Sequence, residues 1–364
     1  MKILHVITSL RTGGAEKLMV DLLPKIRDFG CDVELLLIDG TPTLFKEKLE
    51  SKGIKIFDLG IGGSLYSPVK FGRLLKFLRN NKYDIIHTHL IQPQIYCAIA
   101  RVISSAKFCT TEHNTTNSRR NWKWYAPIDR YMYNQYDSVI CISDKTKDLL
   151  IDFIGKTKAK IDIVYNGIDT NLYKNATTGD LEKENYGCSI ALIQVAAFRH
   201  QKDQDTSIKA LCHLPESYHL YLVGDGVRRR DLEELSKTLG VEKRVHFLGI
   251  RKDVPNLLKA SDIVIMSSHW EGFGLAAVEG MAAGKPVIAS DVDGLKQVVE
   301  GAGILFSPGD DMQLAQIIEE LTGFPDKQMS IVKNCQRKAK NYDILSMADK
   351  YFQIYQDLIP LSKK

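Results

Sequence analysis

Short apolar runs alternate with amphipathic stretches from end to end of this chain, the pattern of buried strands set between helices. In the first half the runs Ile3–Ile7, Val33–Leu37, Ile85–His87, Lys107–Thr111 and Ser138–Ile142 predict strands. In the second half Ile190–Ala196, Leu220–Val223, Arg244–Leu248, Ile263–Met266, Val287–Ala289 and Ile304–Phe306 do the same. Two such sets predict two α/β domains, each a doubly wound, Rossmann-like parallel sheet. The seam is expected after Val164, in the polar stretch from Asn166 to Gly187. The division is then residues 1–165, residues 166–342 and a closing segment 343–364, where Ile344, Ala348, Phe352, Tyr355 and Leu358 recur at helical spacing. Ligands of open parallel sheets bind beyond the carboxyl ends of the strands, so two facing sheets would share one central cleft.

A length of 364 residues suits two middle-sized domains. Hydrophobic content of 44% and charged content of 26% are those of a soluble globular protein, and no apolar run is long enough to span a bilayer. The opening MKILHVITSLRTGG has a short apolar run, but His5 and Thr8 break it, so a first buried strand is expected rather than a leader peptide. Seven scattered cysteines without a C-x-x-C pair predict reduced thiols, a cytoplasmic setting and no zinc site. The net charge of +5 decides nothing about partners.

The richest stretch is Glu271–Glu279, EGFGLAAVE, continued by GMAAGKPVIAS. It lies between two strand-like runs, which makes it a strand, a glycine turn and a helix of small residues. Backbone N–H groups of Gly274, Leu275 and Ala276 would face a diphosphate at the positive helix end. Glu271 before the helix and Glu279 one turn inside it could reach hydroxyl groups on both sides of that anion, which describes a nucleotide sugar. On these residues the chain resembles the family 4 retaining glycosyltransferases of the GT-B fold, and the resemblance is densest from Ile190 to Asp310.

The resemblance implies sugar transfer from a nucleotide diphospho-sugar to an acceptor hydroxyl with retention of configuration, in cell-envelope polysaccharide or lipopolysaccharide assembly. The family needs no metal or other cofactor. Glu271 would hold the donor sugar and Glu279 the ribose. Lys202, in the loop Ala197-Phe198-Arg199-His200-Gln201-Lys202-Asp203, falls where the family's phosphate-binding lysine falls. The family's arginine is replaced by Ala197, and Arg199 either substitutes for it or is solvated. Gly13 and Gly14 in the first βα turn would close over the donor phosphate, with Glu16 as a helix cap. His113, after the strand ending at Thr111, would face the donor sugar; His89 is a second candidate near the acceptor. Gly224 would let backbone pass the nucleotide, while Asp225 either caps a helix or joins the site. The segment ending at Ile250 would pair its backbone with the base, so UDP and GDP stay equally open. The final helix would cross back to the first domain.

Asp291-Val292-Asp293 has the D-x-D form of a metal–diphosphate site, but helix capping before Leu295 explains it better at this place in the chain. Cations and aromatics interleave from Arg119 to Tyr136, and Lys70, Arg73, Lys76 and Arg79 line a helix from Pro68 to Arg79. Together they suit a lipid-linked acceptor or peripheral contact with the inner face of the cell membrane; for the second stretch an ordinary solvated face is the competing reading. No nucleic-acid module is evident. Two rivals remain: a non-transferring enzyme such as a nucleotide-sugar 2-epimerase, and a catalytically silent nucleotide-binding partner.

Overall fold

A computed structural model describes residues 1–11, 13–113, 122–181 and 189–359. The chain divides into two compact units, Met1–Gly167 with the segment from Ile344 onward, and Ile168–Asp343. The first holds strands β1 (Lys2–Ile7), β2 (Asp32–Leu37), β3 (Lys55–Asp58), β4 (Ile85–His89), β5 (Lys107–Glu112), β6 (Ser138–Cys141) and β7 (Lys160–Ile163). The second holds β8 (Ile190–Val195), β9 (Tyr218–Val223), β10 (Val245–Gly249), β11 (Ile263–Met266), β12 (Val287–Ser290) and β13 (Ile304–Phe306).

Both sheets are parallel, in the orders β3-β2-β1-β4-β5-β6-β7 and β10-β9-β8-β11-β12-β13. Strand order therefore reverses beside β1 in the first sheet and beside β8 in the second. At such a reversal the loops leaving neighbouring strands diverge to opposite faces and open a crevice at the carboxyl edge. The buried strands are near-continuous Val, Ile and Leu because helices cover both faces. β3 and β7 were not expected. Both are edge strands, KIFD and KIDI, in which two charged residues of four break the apolar signal.

The helix Ile344–Leu358 belongs to the first unit and packs on the helix Gly14–Asp28. Its inner face is Ile344, Met347, Ala348, Tyr351, Ile354 and Tyr355, in one core with Ile3, Ile7, Leu18 and Leu22. Each large apolar side chain buried here stabilises by about 1.5–3 kcal/mol. Phe352 and Leu358, expected inside, are only partly buried, because the buried face is turned toward Tyr351 and Ile354. No helix among the described residues is long and apolar enough to cross a membrane.

Candidate active site

In the second unit the crevice beside β8 is framed by the loops after β8 and β11. Lys202, in a short 3-10 turn on the β8 loop, gives its ammonium to the carboxylate of Glu271 on the β11 loop. The two side chains are 20% and 13% exposed, so this pair is sheltered yet reachable. Buried polar groups hold the Lys202 backbone in place. Gln194, on β8, donates Nε2 to the Lys202 carbonyl at 2.9 Å and to Ser267 Oγ at 3.0 Å. Ser267 Oγ in turn donates to the Asp203 carbonyl at 2.6 Å, and Ser207 Oγ donates to Gln194 Oε1 at 2.7 Å.

Gly274 ends the β11 loop as the N-cap of the helix Leu275–Ala282, at φ +90 and with no side-chain cap. A side chain there would be strained and would also strike Leu295, 2.6 Å from an added Cβ. The first-turn N–H groups of Leu275 and Ala276 lack intrahelical acceptors by construction, so this end can receive an anion. Glu279, one turn inside the same helix, is buried.

Other expected positions are placed differently. Arg199 is exposed at the start of the 3-10 turn, two residues after exposed Ala197, and among the described residues no side-chain hydrogen bond or ion pair joins it to the Lys202–Glu271 pair. Gly224 is at φ +136, but what passes close to it is the chain itself, since an added Cβ would lie 2.1 Å from the Ala196 carbonyl oxygen. Its N–H donates to the Gly249 carbonyl at 2.8 Å, which ties the β9 loop to the end of β10; Ile250 follows, exposed. Asp225 does not cap the next helix: its Oδ1 accepts the Gly226 N–H at 2.7 Å, and that helix starts only at Arg229. The two aspartates of Asp291-Val292-Asp293 are not caps either. Asp291 pairs with Lys296 at 3.2 Å, and Asp293 is already the first residue of the helix Asp293–Val299.

In the first unit Gly13 is the N-cap of the helix Gly14–Asp28, and the Glu16 carboxylate folds back over it, 2.2 Å from where a Cβ would be. Gly14 faces open space on its Cβ side. His113 follows β5 and is half-buried. It does not stand alone. His89 Nδ1 lies 3.0 Å from His113 Nε2, and His5 Nδ1 lies 2.9 Å from His89 Nε2. His89, expected near the acceptor, is fully buried inside this row. His87, opposite His5 in the β1–β4 register, is held by Tyr355 Oη at 2.5 Å and Thr111 Oγ1 at 2.8 Å. Burial lowers His5 to about 3 and His113 to about 4. Burial first, then neighbouring imidazoles, pushes His87 and His89 well below the ordinary range. Nitrogens of His5, His87 and His89 lie within 4.8 Å of one another, a spacing that could admit a metal. Most of these nitrogens are already engaged: His5 Nδ1 with His89 Nε2, His89 Nδ1 with His113, and both nitrogens of His87 with Tyr355 and Thr111.

The comparison with known families decides the assignment. Residues 12–172 match the family model described as Glycosyltransferase Family 4, and residues 182–338 match Glycosyl transferases group 1. The chain is a family 4 glycosyltransferase of the GT-B fold. The transferase is 28% identical over 309 residues to the UDP-Gal:alpha-D-GlcNAc-diphosphoundecaprenol alpha-1,3-galactosyltransferase of Escherichia coli, covering 79% of this chain and 78% of that one. It is 29% identical over 284 residues to N-acetyl-alpha-D-glucosaminyl L-malate synthase of Bacillus anthracis, covering 74% and 70%. Among solved structures, Anabaena HepE in complex with UDP superposes with a TM-score of 0.85 at 26% identity, covering 98% of this chain and all of that one.

Gln194, Ser207 and Ser267 support the candidate site without having been singled out in the sequence. Ser207 lies on the helix Gln204–Ala210 and carried no signal. The signal for Gln194 and Ser267 is a polar residue inside or just after an otherwise apolar strand, as in Ile190–Val195. His5 carried the same signal in β1.

Proposed function

We propose that this glycosyltransferase moves a sugar from a UDP- or GDP-sugar to a hydroxyl of a glycan or lipid-linked glycan in cell-envelope polysaccharide assembly. The anomeric configuration is retained and no metal is used. The observation that carries the reading is the Lys202–Glu271 pair beside the uncapped helix start at Gly274, at the reversal of strand order. One cation, a row of backbone donors and a sugar-facing carboxylate are what a diphospho-sugar requires. The ammonium of Lys202 would neutralise the leaving diphosphate and Glu271 would hold sugar hydroxyls, while the departing phosphate itself takes the acceptor proton. Glu279 would bind the ribose. His113 would donate to the donor sugar, and the Gly13–Gly14 turn would close on the phosphate. HepE has been solved with UDP-glucose, and the relative from Escherichia coli uses UDP-Gal and a diphosphoundecaprenol-linked acceptor. Both support a nucleotide-sugar donor and a lipid-linked acceptor.

The test combines binding with product analysis. A matching nucleotide sugar should raise the melting temperature by mass action. Product should retain its anomeric configuration and should form only with acceptor, where a 2-epimerase would need none. Glu279→Ala should weaken nucleoside diphosphate and nucleotide sugar alike, by roughly 1.5–3 kcal/mol for a charge-assisted hydrogen bond. Unchanged UDP and GDP affinity in the folded variant would remove Glu279 from the ribose. A protein that binds nucleotide but neither transfers nor slowly hydrolyses any donor would be the silent partner.

Membrane contact is part of the proposal. Trp122 and Trp124 are 57% and 65% exposed, stacked with centroids 5.8 Å apart, and Ile128 and Tyr131 are exposed on the helix that follows. Arg119, Arg120 and the Lys123 side chain lie outside the described structure. Lys70, expected on a solvated face, is buried near Asp39 and takes no part. Binding to anionic liposomes should fall with salt, since surface attraction is screened within about 10 Å at 0.1 M. Replacing Arg119, Arg120 and Lys123 by Ser should weaken it, and replacing Trp122 and Trp124 should weaken it further. No sedimentation with liposomes at low salt, with full activity on a short soluble acceptor, would refute the membrane role.

A further inference from the structure

Three imidazoles form a continuous hydrogen-bonded row in the first unit: His5 Nδ1 to His89 Nε2 at 2.9 Å, then His89 Nδ1 to His113 Nε2 at 3.0 Å. The row runs from the interior of β1, through the last residue of β4, to the residue that follows β5. His5 and His89 are fully buried, and His113 is half-buried at the carboxyl edge of the sheet. A neutral imidazole has one N–H and one bare nitrogen, and the two roles cannot be exchanged independently within such a row. If His5 donates from Nδ1, His89 must accept at Nε2 and donate from Nδ1, and His113 must accept at Nε2 and keep its proton on Nδ1. If the row runs the other way, every ring carries its proton on Nε2.

The buried far end breaks this symmetry. His5 Nε2 is buried and has no hydrogen-bond partner among the described residues. In the second arrangement that atom is an N–H donor with nowhere to donate. In the first it is a bare lone pair. Stranded buried N–H groups are rarer in folded proteins than acceptors left under-satisfied, and leaving a donor unmet costs its full desolvation penalty. Burial also keeps the row neutral, with His5 lowered to about 3 and His113 to about 4, so a charged ring does not relax the constraint near pH 7.

We propose that His5 and His89 are positioning residues that fix the tautomer of His113, so that His113 offers Nδ1–H, a hydrogen-bond donor, to a donor-sugar oxygen. The role of His113 toward the sugar rests on the function proposed above; the tautomer rests on the geometry of the row alone. Backbone could have oriented this ring, but a carbonyl acceptor at Nε2 would have imposed the opposite tautomer. A histidine donor imposes this one. The row thus places at the sheet edge a donor whose polarity is set two side chains away, in the core. His87 lies beside the row but not in it, since Tyr355 and Thr111 occupy both of its nitrogens.

Two-bond proton–nitrogen correlation spectra of histidine-labelled protein at pH 7 read the tautomer directly, with His113 assigned from a His113→Gln sample. In the unsubstituted protein His113 should be the Nδ1–H form by on the order of 10-fold or more. His89→Leu removes the donor at His113 Nε2 and should release the ring to a mixture of tautomers. His89→Leu should also lower kcat by about 5-fold, the scale of one misdirected hydrogen bond, with the Kd for nucleoside diphosphate unchanged. A residue of purely structural importance would not move the tautomer. An unsubstituted His113 that reads as Nε2–H, or as cationic, overturns the proposal without any variant. So does a folded His89→Leu whose His113 spectrum is unchanged. If no nucleotide sugar is turned over, the donor reading fails, and the spectra still decide the row.

Discussion

Lys202→Ala should lower turnover by on the order of 10²-fold or more, the usual cost of removing a preorganised charge partner from a reacting centre, while excess chelator leaves activity intact. As the glycosidic bond breaks, negative charge accumulates on the diphosphate, and some cation must already be in place to meet it. Lys202 is suited to this because its loop is tied down before any ligand arrives, through the Lys202 carbonyl to Gln194 and the Asp203 carbonyl to Ser267. The pairing with Glu271 adds a second expectation. Removing the ammonium strands a sheltered carboxylate beside the anion site, where it repels the diphosphate. The double variant Lys202→Ala/Glu271→Gln should therefore recover part of the UDP affinity that Lys202→Ala loses, although turnover stays low because Glu271 is missing from the sugar. Arg199→Ala should cost far less, because that side chain is exposed. If chelator abolishes activity, Mg²⁺ or Mn²⁺ restores it and Lys202→Ala is nearly normal, the charge belongs to a metal, and Asp291 and Asp293 become its candidate ligands.

The parts of this picture that could be read from the sequence share one property: they are local. Strands buried on both faces announce themselves as unbroken apolar runs, and the turn from Glu271 to Gly274 announces a helix start before it is seen. β3 and β7 were hidden because an edge strand of four residues, two of them Lys and Asp, has no apolar run to show. The last helix was recognised, but its phase was displaced toward Phe352, because Met347 and Tyr351 compete for the same side of the heptad. Lys70 looked like a surface cation from helical spacing alone, but tertiary packing buries it, close enough to Asp39 to favour that carboxylate's charged form. The histidine row was out of reach for a deeper reason. His5, His89 and His113 lie far apart in the chain, and they meet only because β1 pairs with β4 and β4 with β5. Strand order is a global property, and periodicity within one segment carries none of it.

Those histidines also govern how the first unit should respond to acid. Its stability should fall steeply between pH 7 and pH 5, by about 4 kcal/mol from His5 and His113 alone, a large part of the about 5–15 kcal/mol that holds a typical domain together. Four rings are involved: His5 and His113, lowered by burial to about 3 and about 4, and His87 and His89, lowered well below 6.5 by burial and by their neighbours. In the unfolded chain each returns to an ordinary value near 6.5 and binds a proton as the pH drops through it. In the folded chain each stays neutral. The unfolded state therefore holds more protons throughout the window from about 6.5 down toward 4, and by linkage stability rises with pH there and is lost on acidification. Near pH 5 His5 and His113 alone make the difference nearly two protons, a slope of about 2.5 kcal/mol per pH unit, and His87 and His89 add to it in the same direction. Buried carboxylates such as Glu34 and Asp39, whose protonation is held below the ordinary range, act only at lower pH and cannot produce this early loss. Urea unfolding at pH 7, 6, 5.5 and 5, followed by hydrogen exchange in β1, β4 and β5, measures the slope for this unit. A stability that stays flat down to pH 5 would mean that the rings take up protons without unfolding, and the row could not then be the dry, neutral array that its burial and spacing describe.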